Sequence, residues 1–258
     1  MHRALDILEL LADAPAAVGL TEIARRAGGP KATVHRLLAT LQTRGYVVQD
    51  SRSGAYSAGV RCFELGSSWV QNLDLRTAAA PVLADLNSRT QETVHLAIYD
   101  EGEVVYVDKL ESPHPVVARS YVGRRCPAFC VATGRTLLAF QPHQEIAQVL
   151  GRPLPVFTPR TITDLAELRA LLDEVRDRGY AVNHEGHREG VGGVAAPIRD
   201  HTGAVVAAVG CCVPEHRFGP DRFGLLREQT VLAADRISRR LGATVSQRSP
   251  GEQAQQGA

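Results

Sequence analysis

Lys31, Ala32, Thr33, His35 and Arg36 fall within six consecutive positions, and their side chains suit hydrogen bonds and ion pairs to phosphates and base edges. Residues 21 to 60 carry six cations, Arg25, Arg26, Lys31, Arg36, Arg44 and Arg52, against two anions, Glu22 and Asp50. A local excess of four positive charges would neutralise phosphates and release their counterions. The whole chain carries only +1, so any affinity for a polyanion must come from such a patch. A merely solvated basic face is the plain alternative, and the spacing argues against it. Val34, Leu37, Leu38 and Leu41 recur at i, i+3, i+4 and i+7, which turns one helical face inward and leaves the polar set on the other, near the helix start. A recognition helix touches base edges with that end. Lys31 and Arg36 suit guanine edges or phosphates, Thr33 a phosphate, and His35 either target.

Such a helix must be held by neighbours. Residues 4 to 12 place Leu5, Leu8, Leu11 and Ala12 at helical spacing before Pro15. A second helix is expected from Thr21, as N-cap, to Gly28-Gly29, and a third begins with Pro30 in its first turn. Helix, glycine turn, helix is the layout of a helix-turn-helix. Tyr46-Val47-Val48-Gln49 and Ala55-Tyr56-Ser57 flank a polar turn, predicting a hairpin, or wing, with Arg52 at its tip able to reach a minor groove or a phosphate. A linker helix is expected from Val60 to about Asn72, and another from Arg76 to Arg89 with Pro81 in or near its start. Leu5, Leu8, Leu11 and Trp69 suit either a seam between two copies or the core of their own domain.

Beyond residue 92 the pattern changes to strands: Val94 to Ile98 and Val104 to Val107 across 100–103, then Val116-Val117-Ala118. Helices follow at Thr133–Phe140 and Asp164–Arg178, the latter stopped by Gly179. Tyr180 to Val182, Gly193 to Ile198 and Val205 to Val213 are later strands, and a final helix spans about Asp221 to Leu241. The fold class is α+β: a winged helix-turn-helix over 1–60, a linker helix over 61–75, a larger domain of strands and helices over 76–242 and a disordered tail over 243–258.

No run approaches the roughly 20 apolar residues of a membrane helix, and the N-terminus lacks a signal-peptide layout, so a cytoplasmic location is expected. The five cysteines, Cys62, Cys126, Cys130, Cys211 and Cys212, are odd in number and irregularly spaced, which suits reduced thiols. Their spacing, and that of His184 and His187, is not that of a zinc site. Cys62 and Cys211 suit core positions, while Cys130 and Cys212 are candidates to face a pocket. There is no nucleophile elbow, phosphate-binding glycine loop or metalloprotease histidine pair. Catalysis, a cofactor and a metal are therefore not expected.

The segment TEIARRAGGPKATVHRLLATLQTRGYV, with the hairpin ending in GAYSAG, resembles the N-terminal domain of the IclR family of bacterial transcription regulators. VHLAIYDEGEVVYVDKLES, VGRRCPAFCVATGRTLLAF, TPRTIT, EVRDRGYAVN and GGVAAPIRDHTGAVVAAVG look like that family's effector domain, in its order. The resemblance implies a GAF-like domain with an antiparallel sheet, no enzymatic activity, and a homodimer or dimer of dimers on a palindromic operator, more often repressing than activating. It places Thr21, Arg26, Lys31, Ala32, Thr33, His35, Arg36 and Arg52 at the DNA.

The resemblance also implies that backbone amides at Cys130-Val131-Ala132-Thr133-Gly134 receive an effector carboxylate, which agrees with the positive end of a helix dipole. Ala118, Cys126 and Phe129 would wall the pocket, with Asn183, Gly193, Gly210 and Cys212 on its polar side. Relatives that bind small keto acids tend to carry Asp, Cys, Ser and Ser at those last four positions. Fewer hydroxyls and two glycines lead to the expectation of a bulkier, less polar carboxylate, aromatic acids included, given the opened space. The alternative is a ligand or redox sensor that acts on a protein partner instead of DNA.

Overall fold

The computed structural model describes residues 2–71, 74–115 and 120–243. The chain divides into two compact units, Met1–Leu73 and Asp74–Ala258.

In the first unit, α1 (His2–Asp13), α2 (Leu20–Arg26) and α3 (Lys31–Thr43) precede a hairpin of β1 (Val47–Gln49) and β2 (Tyr56–Ala58), then α4 (Val60–Gln71). The core consists of Ile7, Leu10, Leu11, Ile23, Ala24, Val34, Leu38, Val47 and Tyr56. On α1 the buried face is thus Ile7, Leu10 and Leu11. Leu8 packs at its edge and Leu5 is exposed, because Ile7 completes the stripe that the leucine spacing suggested. The side chain of Trp69 lies outside the described residues.

Two boundaries differ from expectation. Gly19, not Thr21, is the N-cap of α2, and Pro30 is the N-cap of α3 instead of a first-turn residue. In both cases the backbone becomes helical immediately after an extended residue, with no side-chain cap needed. Gly28 takes the left-handed φ of 63° that ends α2. Val18 pairs with Tyr56 through a single antiparallel bridge beside the two-stranded wing. The wing turn is ordered by Asp50, whose Oδ1 accepts from Ser53 N at 2.7 Å, Ser53 Oγ at 2.8 Å and Arg52 N at 3.1 Å.

The second unit begins with α5 (Asp74–Thr90). Pro81 lies inside this helix instead of near its start. Six strands follow: β3 (Thr93–Asp100), β4 (Glu103–Leu110), β5 (Arg125–Pro127), β6 (Ala181–His184), β7 (Val191–Arg199) and β8 (Val205–Pro214). They form one antiparallel sheet in the order β5-β4-β3-β8-β7-β6. The β3–β4 loop is only Glu101 and Gly102, both at positive φ, as a tight hairpin turn requires. Between β5 and β6 come a 3-10 turn at Ala128–Cys130, then α6 (Ala132–Ala139), α7 (His143–Leu150) and α8 (Leu165–Arg178). Asp164 caps α8 by accepting from Glu167 N at 2.8 Å, and Gly179 closes it in the left-handed conformation. β5 and α7 went unread in the sequence, while the expected strand at 116–118 lies outside the described residues.

The sheet is covered differently on its two faces. α5 and α9 (Pro220–Arg240) pack against one, and Cys211 points there, with its Sγ 3.4 Å from Thr230 Oγ1 of α9. Cys212, one residue on, faces the opposite side with α6, as strand alternation dictates. Glu92, fully buried at the start of β3, fastens the helical layer. Its carboxylate accepts from Arg217 Nε at 3.0 Å and Nη2 at 2.8 Å, and Arg222 Nη2 lies 3.3 Å away. Replacing one member of a buried pair strands the other charge. Glu92→Ala should therefore cost about 3 kcal/mol, near the low end for buried pairs because both arginines keep some access to water. The urea midpoint of the second unit's transition checks this.

Candidate functional site

On α3 the inward stripe is Val34 and Leu38, with Leu37 and Leu41 packed at its margin. Lys31, Ala32, His35 and Arg36 are exposed and Thr33 half-buried, so the first turn and a half of the helix presents two cations, an imidazole and a hydroxyl to the outside. Thr21, Arg26 and Arg52 are exposed as well. Arg25 is engaged by Glu22, Nε to Oε2 at 2.9 Å, whereas Arg26, Lys31, Arg36 and Arg52 are the exposed cations of α2, α3 and the wing.

In the second unit a cavity of about 640 Å³, counting its open mouth, lies on the α6 face of the sheet. Cys126, Ala132, Thr133, Asn183, Gly193, Gly210 and Cys212 all line it. Strand register is what gathers them. Asn183, Gly193, Cys212 and Thr93 form a single cross-strand rung through β6, β7, β8 and β3, and Gly210 opposes His95 on a neighbouring one. α6 reaches the cavity because Gly134 sits directly on Ala128, where a Cβ would overlap the backbone. Arg135, also buried, donates from Nε to Phe129 O at 2.9 Å and from Nη1 to Val182 O at 3.0 Å. The first amides of α6, at 132–134, take no backbone acceptor among the described residues. Beside them Thr133 Oγ1 is buried without a hydrogen-bond partner; the Tyr106 hydroxyl lies nearby but outside hydrogen-bond geometry.

Three expectations need correction. Phe129 and Cys130 do not line the cavity: both are buried in the core beneath α6, α7 and α8, since the 3-10 turn directs them away from the sheet. Cys130 Sγ instead lies 3.3 Å from Pro127 O. The glycines do not open space. A Cβ at Gly193 would come within 2.8 Å of Cys211 O, and one at Gly210 within 2.9 Å of Val194 O and the Ala195 Cβ, so both positions are filled by close strand approach. Ala118 lies outside the described residues.

The sequence reading missed His95, Tyr106, Ser120, Arg124 and Arg188, and considered His187 only as a metal ligand; all six line the cavity. His95 stacks on Tyr106 at 4.3 Å between ring centroids and 23° between planes. Its Nε2 lies 2.6 Å from Ser120 Oγ, whose residue in turn accepts at its carbonyl from Lys109 Nζ at 2.7 Å. The available signal was parity, because a histidine at 95 and a tyrosine at 106 alternate with apolar residues on strands.

Family models match on both units: the IclR helix-turn-helix domain over residues 2–51 and the bacterial transcriptional regulator IclR C-terminal domain over residues 67–239. The chain belongs to the IclR family. It is 37% identical over 226 residues to the regulator KdgR of Escherichia coli, covering 87% of this chain and 86% of that one. It is 30% identical to the E. coli transcriptional repressor IclR, over 92% and 88% of the two chains. An IclR homologue from Microbacterium hydrocarbonoxydans, solved with 4-hydroxybenzoate, superposes with a TM-score of 0.82 at 29% identity, covering 93% of this chain and 97% of that one. The named relatives are transcriptional regulators, not enzymes, and this chain is a DNA-binding transcriptional regulator of the same kind.

In this IclR-family chain burial keeps the thiols in and beneath the cavity, and the His95 imidazole, neutral. Burial pushes the Cys130 and Cys212 thiols up to about 12 and Cys211 up to about 11, and raises Cys126 as well. Thiolate is the reactive form, so alkylation of native protein at pH 8 should spare these four cysteines until it is unfolded, as peptide mass spectrometry would register. Burial, with Lys109 and Arg124 nearby, pushes His95 down to about 3. An unfolded chain takes that proton near pH 6.5, so between about 6.5 and 3 the unfolded state binds more protons and stability falls with falling pH. His95→Gln should flatten this acid limb, measured as urea midpoint between pH 7 and 4.

Proposed function

We propose that this protein is a repressor whose hold on a palindromic operator is controlled by a small carboxylate bound in the cavity of the second unit. The observation that carries the effector half is the start of α6. Ala132 and Thr133 line the cavity, their backbone amides take no backbone acceptor among the described residues, and the Thr133 hydroxyl beside them is buried without a hydrogen-bond partner. Donors so arranged, at the positive end of a helix dipole, fit a carboxylate oxygen pair. That a homologue was solved with 4-hydroxybenzoate supports a carboxylate in the same kind of domain. Ala132 and Thr133 would hold the acid, with Asn183, Gly193, Gly210, Cys126 and Cys212 around its body.

For the DNA half, Lys31, Ala32, Thr33, His35 and Arg36 would enter a major groove, with Thr21, Arg26 and Arg52 at phosphates or the adjoining minor groove. One such unit covers a half-site, so a homodimer or a dimer of dimers matches a palindrome. Exposed Leu5 and Phe63 are available to a partner copy. No helix among the described residues is long and apolar enough to cross a membrane, and the cytoplasm, where the DNA lies, is the proposed location. The second reading, a redox sensor acting on a protein partner, finds no reactive thiol among the described residues of the cavity.

The test is binding of the full chain to the DNA upstream of its own gene and the adjacent genes. Lys31→Ala with Arg36→Ala should weaken binding by at least about tenfold and lower the salt slope by about 2, with the melting temperature unchanged. Undiminished binding in the double variant would sink the assignment to α3.

A further inference from the structure

The imidazole of His95 is fixed in place and still has one nitrogen unused. The residue is only 3% exposed. Its ring stacks on Tyr106 at 4.3 Å between centroids, and its Nε2 lies 2.6 Å from Ser120 Oγ. Ser120 is anchored in turn, because its carbonyl accepts from Lys109 Nζ at 2.7 Å and that ammonium also reaches Glu111 Oε1 at 2.6 Å. The other ring nitrogen, Nδ1, takes no hydrogen bond among the described residues, and the cavity is the open space that the ring lines.

The ring stands close to the start of α6. His95 opposes Gly210 of β8, and a Cβ at Gly210 would come within 3.1 Å of Thr133 Cγ2. On the other side, a Cβ at Gly193 of β7 would lie 3.8 Å from the Ala132 Cβ. Asn183 of β6 follows beyond β7 in the sheet order, so His95 and Asn183 flank the first residues of α6. Asn183 is also buried, and its Oδ1 accepts from Gly186 N at 3.1 Å while Nδ2 takes no partner among the described residues.

Both groups are neutral. Burial, with Lys109 and Arg124 nearby, keeps the imidazole uncharged. A neutral imidazole has one donor and one acceptor nitrogen, and the Ser120 hydroxyl complements either tautomer. A ligand hydroxyl both donates and accepts, so it satisfies Nδ1 in both tautomers, whereas a carboxylate only accepts and an ammonium only donates. The same group accepts from Asn183 Nδ2. A hydrocarbon body closed over these atoms would leave them unpaired and out of water.

We propose that the effector is a hydroxy acid, with its carboxylate at the start of α6, as in the proposed function on which this inference rests, and a hydroxyl hydrogen-bonded to His95 Nδ1. His95 is the residue that selects the hydroxyl. Ser120 is the positioning residue that holds the ring, and Asn183 suits a further hydroxyl on the opposite side.

The test is calorimetric titration of the full chain with acids matched in skeleton: lactate against propionate, 3-hydroxybutyrate against butyrate, gluconate against hexanoate, and 4-hydroxybenzoate against benzoate. At least one hydroxy acid should bind about tenfold or more tightly than its plain partner, because a buried polar group rejects the analogue that leaves it unpaired. His95→Phe keeps a ring beside Tyr106 and removes both nitrogens. It should shrink the preference to within about threefold and leave the affinity for the plain acid within about threefold of the unmodified protein. Ser120→Ala leaves the imidazole unanchored and should reduce the preference by at least about threefold. Ser120 is a half-buried loop residue, so this variant decides the matter if His95→Phe does not melt cooperatively. Plain acids binding as well as their hydroxy partners overturns the proposal and leaves the carboxylate site at α6 intact. A hydroxyl preference that neither variant alters does the same. Silence of every acid overturns both.

Discussion

Gly134 lets α6 lie directly on the 3-10 turn that leads into it, and the cavity depends on that seating. Any side chain there would overlap Ala128, so the helix would lift and its first amides would leave the sheet. Arg135 then locks the position from within the helix, reaching back to Phe129 and across to Val182. Thr136 adds a bond to Ala195 O at 3.2 Å. A buried guanidinium satisfied by backbone carbonyls costs desolvation, and burial does lower its pKa. What it secures is a helix terminus aimed at the concave side of the sheet.

The sheet supplies the other half of the same arrangement. Its antiparallel register puts Asn183, Gly193 and Cys212 on one rung and Gly210 with His95 on another. Small residues on these rungs let neighbouring chain segments approach closely, so glycine here marks tight packing and not vacancy. The ligand's room comes instead from the curl of the sheet and from the loops that carry Ser120, Arg124, His187 and Arg188. Charge enters through those loops, while the strands contribute neutral groups whose burial keeps them so.

The two units have separate cores and divide the function. The first gathers hydroxyl and cationic groups on one exposed helical turn, where phosphate and base edges can be met in water. The second carries the cavity that the proposed function assigns to the effector. An effector can alter operator binding only by the difference between its affinities for DNA-competent and incompetent states, and the specificity of that difference resides in the second unit.

By itself the sequence determined the helix-turn-helix, the wing, the family, and the outward group Lys31, Ala32, His35 and Arg36. A helical stripe and a tight turn are local, and residues three or four apart report on one another without a third element. The Gly179 stop was legible for the same reason, while Asp164, read as the first helical residue, is the N-cap. α7 carried an overlooked signal in Ile146, Val149 and Leu150 after Pro142, whereas β5 is only three residues long and gains its identity from pairing with β4. Tertiary structure alone decided that Phe129 and Cys130 turn into the core, that Gly193 and Gly210 fill space instead of opening it, and that His95, Tyr106, Arg124 and Arg188 meet at one cavity. Those facts depend on cross-strand register and on the path of loops distant in sequence, and no periodicity along a single chain segment encodes which residues of another segment will stand opposite.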